Sequence, residues 1–88
     1  MLERVVTVGS RTGLHARPAA LFVQAAGAAP VPVRIAVAGR KPVDARSMLA
    51  VLSLGATQGT QVTLYAEGDQ AGEALDSLAA LLEQDLDA

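Results

Sequence analysis

Residues 13–20 read Gly13-Leu14-His15-Ala16-Arg17-Pro18-Ala19-Ala20 and contain the only histidine of the chain. Gly13 gives the backbone freedom to turn, and Pro18 suits the first turn of a helix, where its missing N–H is not needed. A helix that begins here points unpaired N–H groups and the positive end of its dipole toward His15, which favours phosphate binding. The stretch therefore predicts a nucleophilic imidazole beside an anion site, with Arg17 as a second positive group.

Simpler explanations exist for these side chains, and the residue types leave them open. A single histidine where a loop meets a helix is commonly a cap or a surface residue, and Pro18 can serve only to start the helix. Arg17 can be a solvated cation of the first turn. A cation is unfavourable beside the positive end of a helix dipole, however, so anion binding is the better interpretation of Arg17.

The composition is that of one small aliphatic domain. Of the 88 residues 51% are hydrophobic, and the only aromatic residues are Phe22 and Tyr65, so the core must be aliphatic. This length leaves room for one core, and we expect a single domain over residues 1–88. With no cysteine, and one histidine without a neighbouring carboxylate pair, the chain offers no metal ligand set, and we expect neither a metal nor a cofactor.

Charge and hydropathy exclude several classes of partner. The net charge is −2 and the basic residues are scattered, which argues against nucleic-acid binding. Residues 1–25 lack the basic start and uninterrupted apolar stretch of a signal peptide, and no apolar run is long enough to span a membrane. We therefore expect a cytoplasmic protein with no nucleic-acid partner and no membrane insertion.

Four strands are predicted from apolar residues that recur at every second position. They cover residues 2–8, 33–37, 43–45 and 60–66, with a turn over 39–42. The alternation places Val6 and Val8 in the core and turns Ala36, Thr63 and Tyr65 outward.

Three helices are predicted from apolar residues at helical spacing. The first ends at Gly27, the second runs from Met48 to Leu54 between an N-cap at Ser47 and Gly55, and the last follows an N-cap at Asp69. Leu21 lies off the apolar stripe of the first helix and is predicted to be exposed. The predicted buried stripes are Ala19, Phe22, Val23 and Ala26 in the first helix, and Ala71, Ala74, Leu75, Leu78, Leu81 and Leu82 in the last.

The element order βαββαβα predicts the fold class. Strands that alternate in polarity bury one face and expose the other, so the helices should cover one face of an antiparallel sheet. We expect an α/β fold of the α+β type, a two-layer open-faced sandwich in which three helices lie on one face of a four-stranded antiparallel sheet.

Three segments resemble HPr, the family of histidine-containing phosphocarrier proteins of the bacterial phosphoenolpyruvate-dependent sugar phosphotransferase system. They are Gly-Leu-His-Ala-Arg-Pro-Ala at 13–19, Arg-Ser-Met-Leu-Ala-Val-Leu-Ser-Leu-Gly at 46–55 and Ala-Glu-Gly at 66–68. The predicted element order is also that of the family, so the resemblance spans the whole chain. One departure is a spacing from His15 to Ser47 that is one residue longer than usual, and the turn over 39–42 can absorb it.

The resemblance implies a function and assigns the site residues. In the family the histidine, here His15, accepts a phosphoryl group on Nδ1 from enzyme I and passes it to IIA domains of sugar permeases. Such a protein is a monomeric phosphoryl carrier with a phosphohistidine intermediate rather than a stand-alone catalyst. The family begins its helix directly after the histidine, which leaves the backbone N–H groups of Ala16 and Arg17 for the phosphate, whereas the rule against helical residues before proline puts Pro18 first. A carrier in a nitrogen-related regulatory branch of the phosphotransferase system is the alternative.

The short helix carries more large apolar residues than one buried stripe can hold, so some of them must face outward. In HPr this helix docks onto partners, which implies a partner surface of Met48, Leu49 and Leu52 with Ala20 and Gln24. In some members a serine kinase phosphorylates the serine at the position of Ser47. From the residues alone, Ser47 is a good N-cap whatever its regulation.

Two other classes of protein share a small α/β sandwich. An acylphosphatase-like enzyme would need an asparagine to position water, and the chain contains no asparagine. A regulatory ligand-binding module would pair as a dimer and would not require His15. A monomer that is labelled by phosphoenolpyruvate and enzyme I would separate the carrier from both.

Overall fold

The computed structural model describes residues 1–86, and seven elements follow one another in the predicted order. They are β1 (Leu2–Thr7), α1 (Ala16–Gly27), β2 (Val33–Val37), β3 (Val43–Asp44), α2 (Met48–Ser53), β4 (Gln61–Ala66) and α3 (Ala71–Glu83). Residues 87 and 88, the end of the predicted domain, lie outside the described residues.

The strands form one antiparallel sheet in the order β1-β4-β2-β3. In its register Val6 lies opposite Val62 and Ile35 opposite Leu64. These four side chains are buried, and they face the core that the helices share. The two-layer open-faced sandwich predicted from the sequence is confirmed.

The core is aliphatic around a single ring. Phe22 is fully buried, whereas Tyr65 is half-buried on a strand position that alternates with the core residues. On the open face Tyr65 lies between Glu3 of β1 and Arg34 of β2, and Arg34 lies opposite Asp44 of β3. The face away from the helices therefore carries charges of both signs, as expected for a solvated surface.

Ala36 corrects the predicted alternation, because it is buried although it was expected to face outward. Its methyl group is short, and β2 lies between two other strands, so longer neighbours such as Thr63 opposite it exclude solvent. The predicted strand ends at 8, 45 and 60 fall one residue outside the observed strands. Their backbone bonds continue the pairing nonetheless, since Val8 N–H donates to Thr60 O and Ala45 N–H to Val33 O, both at 3.0 Å.

The predicted end of the first helix is confirmed, and the predicted start of the last helix is wrong. Helix α1 ends at Gly27, which is its last helical residue, and the C-cap is Ala28 with helical φ −88°. Asp69 does not cap α3, because Ala71 N–H donates to Gly68 O at 3.1 Å and the helix begins one residue later, after Gln70. Gly55, with φ +62°, does terminate α2, which ends at Ser53 rather than at Leu54.

The helix stripes are confirmed except that Val23 of α1 and Leu81 of α3 are half-buried rather than buried. In α3 the buried residue is Ala79, and Leu81 is half-buried, because Ala79 lies between Leu75 and Leu82 on the helical surface while Leu81 lies at the flank. Leu21 of α1 is half-buried rather than exposed.

Candidate functional site

The loop between β1 and α1 is anchored on the connection between α2 and β4. Leu14 N–H donates to Ala56 O at 2.9 Å, and the Leu14 side chain is 1% exposed. Gly13 has φ +73°, and a Cβ added there would lie 2.3 Å from Ala56 O and 2.7 Å from Thr57 Cα. Gly13 therefore provides a close backbone approach as well as the predicted turn.

His15 is the N-cap of α1 by its backbone but not by its side chain. Its backbone is extended, with φ −133° and ψ 166°, and the imidazole makes no capping hydrogen bond. The capping explanation for this histidine is therefore excluded. The ring is half-buried at the start of the helix, with its nitrogens not engaged by the helix terminus.

Helix α1 begins at Ala16, directly after His15, so the start implied by the family resemblance is confirmed and the start at Pro18 is wrong. Pro18 is the third helical residue, where an N–H has no intrahelical acceptor in any case. The α region is disfavoured before proline but not forbidden. Leu14 before His15 and Pro18 and Ala19 after it are all buried, and their burial fixes the direction in which the chain enters α1.

Two backbone donors are left at this end of the helix. The first helical hydrogen bond runs from Ala19 N–H to His15 O at 3.3 Å. The N–H groups of Ala16 and Arg17 precede it and have no acceptor within the helix. Together with the positive end of the helix dipole, they make the segment after His15 suited to an anion.

Ala16 has φ +48° and is the only residue other than glycine with positive φ among residues 1–86. A left-handed backbone at such a residue costs about 1–3 kcal/mol and persists only where the surroundings enforce it. Nothing in the sequence indicates this strain, because alanine is otherwise a favourable helix residue.

Arg17 is exposed, and the first turn of α1 contains no acidic residue to pair with it. Ala20 and Gln24 are also exposed, and their spacing places them on the same side of the helix as Arg17. A half-buried imidazole, two N–H donors and a guanidinium thus lie at or near one helix end. This arrangement can hold a phosphoryl group covalently on nitrogen and hydrogen-bond its oxygens.

The apolar excess of α2 divides between core and surface. Val51 and Leu54 are buried, whereas Met48 is 36% and Leu49 82% exposed. Leu52 is half-buried against the core, so its predicted role in a partner surface rests on part of its side chain. Helix α2 packs against α1, and its C-terminal end leads to Ala56, which anchors the loop before His15.

Ser47 is the N-cap of α2, as predicted, and its Oγ accepts from Ala50 N–H at 3.2 Å. The turn before it is fixed by Asp44, whose carboxylate accepts from Arg46 Nε and Nη2, both at 3.1 Å, and from Arg46 N–H at 2.9 Å. The Arg46 side chain and then its backbone N–H lower the pKa of Asp44, and the same pair raises the pKa of Arg46.

The sequence did not single out Ser10 or Ala56, and it did not indicate the positive φ of Ala16, whose backbone N–H was expected to bind phosphate. Ser10 and Ala56 act through hydrogen bonds to residues far away in the chain, as between Leu14 and Ala56, and no local pattern reports such pairs. Within residues 1–86 no group of three or more His, Cys, Asp or Glu residues could hold a metal ion. None of the described helices is long and apolar enough to cross a membrane.

An open-faced α+β sandwich with an imidazole that makes no capping hydrogen bond at a helix N-terminus agrees with the class of protein that the sequence resembles, the histidine phosphocarriers. The family model described as PTS HPr component phosphorylation site matches residues 2–84. Phosphocarrier protein HPr of Streptomyces coelicolor is 52% identical over 87 residues, which cover 99% of this chain and 94% of the relative. The chain belongs to the HPr family.

Solved structures agree with this assignment. A crystal structure of HPr from Bacillus anthracis has a TM-score of 0.86 at 41% identity and covers 92% of this chain and 95% of its own. A crystal structure of Crh from Bacillus subtilis, described as a swapped dimer, has a TM-score of 0.71 at 44% identity over 94% of each chain.

The predicted family, fold and phosphocarrier function in the phosphotransferase system are therefore confirmed. Family membership replaces the acylphosphatase-like and ligand-binding alternatives, and the comparisons do not favour the nitrogen-related branch. It also implies partners of the phosphotransferase system, such as enzyme I and IIA.

Gly13 and Gly39 allow the close approach beneath the site to be tested. Both have positive φ, +73° and +80°, but no atom lies within 4 Å of a Cβ added at Gly39. Gly13→Ala is expected to lower the free energy of unfolding by at least about 1 kcal/mol more than Gly39→Ala, because only Gly13 faces backbone atoms. Urea denaturation of both variants measures the difference, and equal losses would contradict the close approach.

Proposed function

We propose that His15 accepts the phosphoryl group from phosphorylated enzyme I and passes it to IIA domains of sugar permeases. The observation that carries this proposal is the position of the His15 imidazole at the N-terminus of α1. It makes no capping hydrogen bond, and the unpaired N–H groups of Ala16 and Arg17 follow directly. In the family the receiving atom is Nδ1. Its lone pair attacks phosphorus, a P–N bond forms, and the bond from phosphorus to the donor breaks.

The surrounding donors suit a carrier because each of them is modest. Ala16 and Arg17 N–H groups and the Arg17 guanidinium would bind the equatorial oxygens, while the helix dipole contributes about 0.3–1 kcal/mol at an exposed site. Tighter binding would stabilise phosphohistidine too much for onward transfer. A site with an exposed arginine and a half-buried ring is consistent with reversible transfer.

The acceptor is tested by incubation with phosphoenolpyruvate and enzyme I, followed by phosphopeptide mapping. We expect one label, on His15, that is lost in acid and stable in base, since the chain has no other histidine. His15→Ala is expected to abolish labelling while the protein still melts cooperatively. Undiminished labelling of that variant would refute the assignment.

Arg17 is expected to affect transfer more than folding. Because it is exposed, Arg17→Ala should change the free energy of unfolding by no more than about 0.5 kcal/mol. We expect transfer to slow at least about tenfold, equivalent to about 1.4 kcal/mol in the barrier. Arg34→Ala is the matched control, since Arg34 is an exposed arginine on the open face of the sheet. Equal transfer rates in the two variants would mean that Arg17 is only a solvated cation with no role in transfer.

We further propose that partners dock on a patch formed by Ala20, Gln24, Met48, Leu49 and Leu52. Two observations support it: Leu49 and Met48 are exposed large apolar residues, and their helix packs against α1, which carries the exposed Ala20 and Gln24. Apolar groups left in solvent beside a reactive side chain are typical of a partner surface, and methionine adapts to several partners.

The docking patch is tested by placing one charge on the patch and, in a control variant, one charge on the open face of the sheet. Leu49→Asp or Met48→Asp should raise the dissociation constant for enzyme I at least about tenfold, because a carboxylate is desolvated on docking, while unfolding stays cooperative. Val5→Asp is the control, since Val5 is 60% exposed on the sheet. Calorimetric titration measures binding. A variant with unchanged affinity would remove its residue from the patch.

Ser47 is the proposed target of a serine kinase. A phosphate at the start of α2 is compatible with the helix dipole, but it would add roughly two negative charges beside Met48 and Leu49. Ser47→Asp is therefore expected to keep the melting temperature and to weaken binding to enzyme I, whereas Ser77→Asp on the exposed side of α3 should not. If Ser47→Asp binds enzyme I with normal affinity, Ser47 acts only as the N-cap of α2.

We propose that the protein is a monomer formed by one domain and acts in the cytoplasm. The described residues share one sheet and one core cluster, which supports a single domain, and the monomer is the state that the resemblance to HPr implies. The location follows from the proposed partners and agrees with the lack of cysteine. Sedimentation equilibrium distinguishes this monomer from a dimer such as that of Crh.

A further inference from the structure

The loop that leads to His15 is bound by the last two residues of α3 and by the residues that follow this helix. We define the site loop as residues 9–14 and the tail as residues 82–86. Gly9 N–H donates to Leu82 O at 2.9 Å, and a Cβ added at Gly9 would lie 2.0 Å from Glu83 O. The start of the site loop therefore lies directly against the tail backbone.

The Ser10 hydroxyl links the site loop to the tail as both a hydrogen-bond donor and an acceptor. It is 2% exposed and is the one buried polar side chain among the described residues. Its Oγ donates to Gln84 O at 3.2 Å and accepts from Leu86 N–H at 3.0 Å. Buried polar groups are costly unless they are bonded, so Ser10 selects one placement of the loop on the tail.

An ion pair adds to this contact at the next residue. Arg11 Nε lies 2.7 Å from Asp85 Oδ2, and Arg11 N–H donates to Asp85 Oδ1 at 3.3 Å. One carboxylate thus binds both the side chain and the backbone of Arg11, which restricts its orientation more than a side-chain pair alone would.

The tail and Ala56 hold opposite ends of the same short segment. Residues 9–11 contact the tail, Leu14 is bonded to Ala56, and His15 follows at once. The strained φ of Ala16 directly after His15 requires surroundings that enforce it. The His15 imidazole makes no hydrogen bond to the start of the helix, so its position depends on the backbone before and after it.

We propose that the tail positions His15 for phosphoryl transfer, with Ser10, Arg11 and Asp85 as positioning residues. The proposal rests on the function proposed for His15. The tail touches the backbone before the imidazole rather than the phosphoryl group, so it acts on the geometry of attack. Small displacements of a reacting group lower the rate of a step while leaving substrate docking largely intact.

A second ion pair provides a matched control. Arg4 of β1 pairs with Asp76 of α3, both exposed, and so joins the strand before the site loop to the helix before the tail. Asp76→Asn removes the same charge from a comparable pair as Asp85→Asn does, but it does not touch the site loop. A general effect of the ion pair on stability would appear in both variants. An effect on the position of His15 would appear only in Asp85→Asn.

The experiment compares Asp85→Asn, Asp85→Glu, Ser10→Ala and Asp76→Asn with the unaltered full chain. Phosphoryl transfer from enzyme I is measured as kcat and KM, and the His15 ring and the Leu14 and Ala16 amides are followed by NMR without any partner. We expect Asp85→Asn and Ser10→Ala to lower kcat at least about threefold, with KM changed by less than about twofold, and to shift the His15 ring signals. Asp85→Glu should restore much of the rate, and Asp76→Asn should leave rates and spectra unchanged.

Unchanged kcat and His15 signals in both Asp85→Asn and Ser10→Ala would overturn the proposal, as would equal losses in Asp76→Asn. If Ser10→Ala does not fold, Asp85→Asn decides alone, because its ion pair is partly exposed. Failure of the function proposed for His15 is a separate result, in which the unaltered protein is not labelled at His15. The NMR comparison then still decides whether the tail positions the ring.

Discussion

The hydrogen bond from Leu14 N–H to Ala56 O, with Gly13 packed against Ala56 and Thr57, is the contact on which the site depends. It joins the loop before His15 to the connection that follows α2. Because a side chain at position 13 would occupy the space of backbone atoms, only glycine permits the approach. The helix end that carries His15 and the helix with the exposed apolar residues are therefore linked by this contact.

Several local features of this region are unfavourable in themselves. Ala16 has a left-handed backbone, Arg17 lies beside the positive end of a helix dipole, and Leu49 is 82% exposed. The same region also contributes Leu14, Phe22 and Val51 to the core, where these side chains are fully or almost fully buried. Features that disagree with local preference are thus concentrated around the proposed site, as is common where a fold serves a function.

The same region explains how a carrier can give up what it has received. Its phosphate ligands would be backbone donors and one exposed arginine, with no metal-binding cluster among the described residues. Interactions of this kind are individually modest and exchange readily with water. The precision of the site comes instead from the backbone, which Ala56 holds at one end of the loop and the residues after α3 hold at the other. Rigid placement with weak binding suits transfer in both directions.

The sequence by itself determined the element order, the antiparallel sheet, the aliphatic core and the family, because these depend on periodicity and on one distinctive octapeptide. It misjudged features that depend on neighbours in space. Ala36 is buried by adjacent strands, Asp69 loses its capping role to Gly68 O, and Leu81 yields its core position to Ala79.

Only the tertiary structure decided the strain at Ala16, the split of α2 into buried Val51 and exposed Leu49, and the bonds that Ser10 makes to Gln84 and Leu86. These features join residues that are distant along the chain or depend on which face of a helix meets the core. Local patterns specify what each segment prefers, whereas the packing of segments against one another determines which preferences are satisfied.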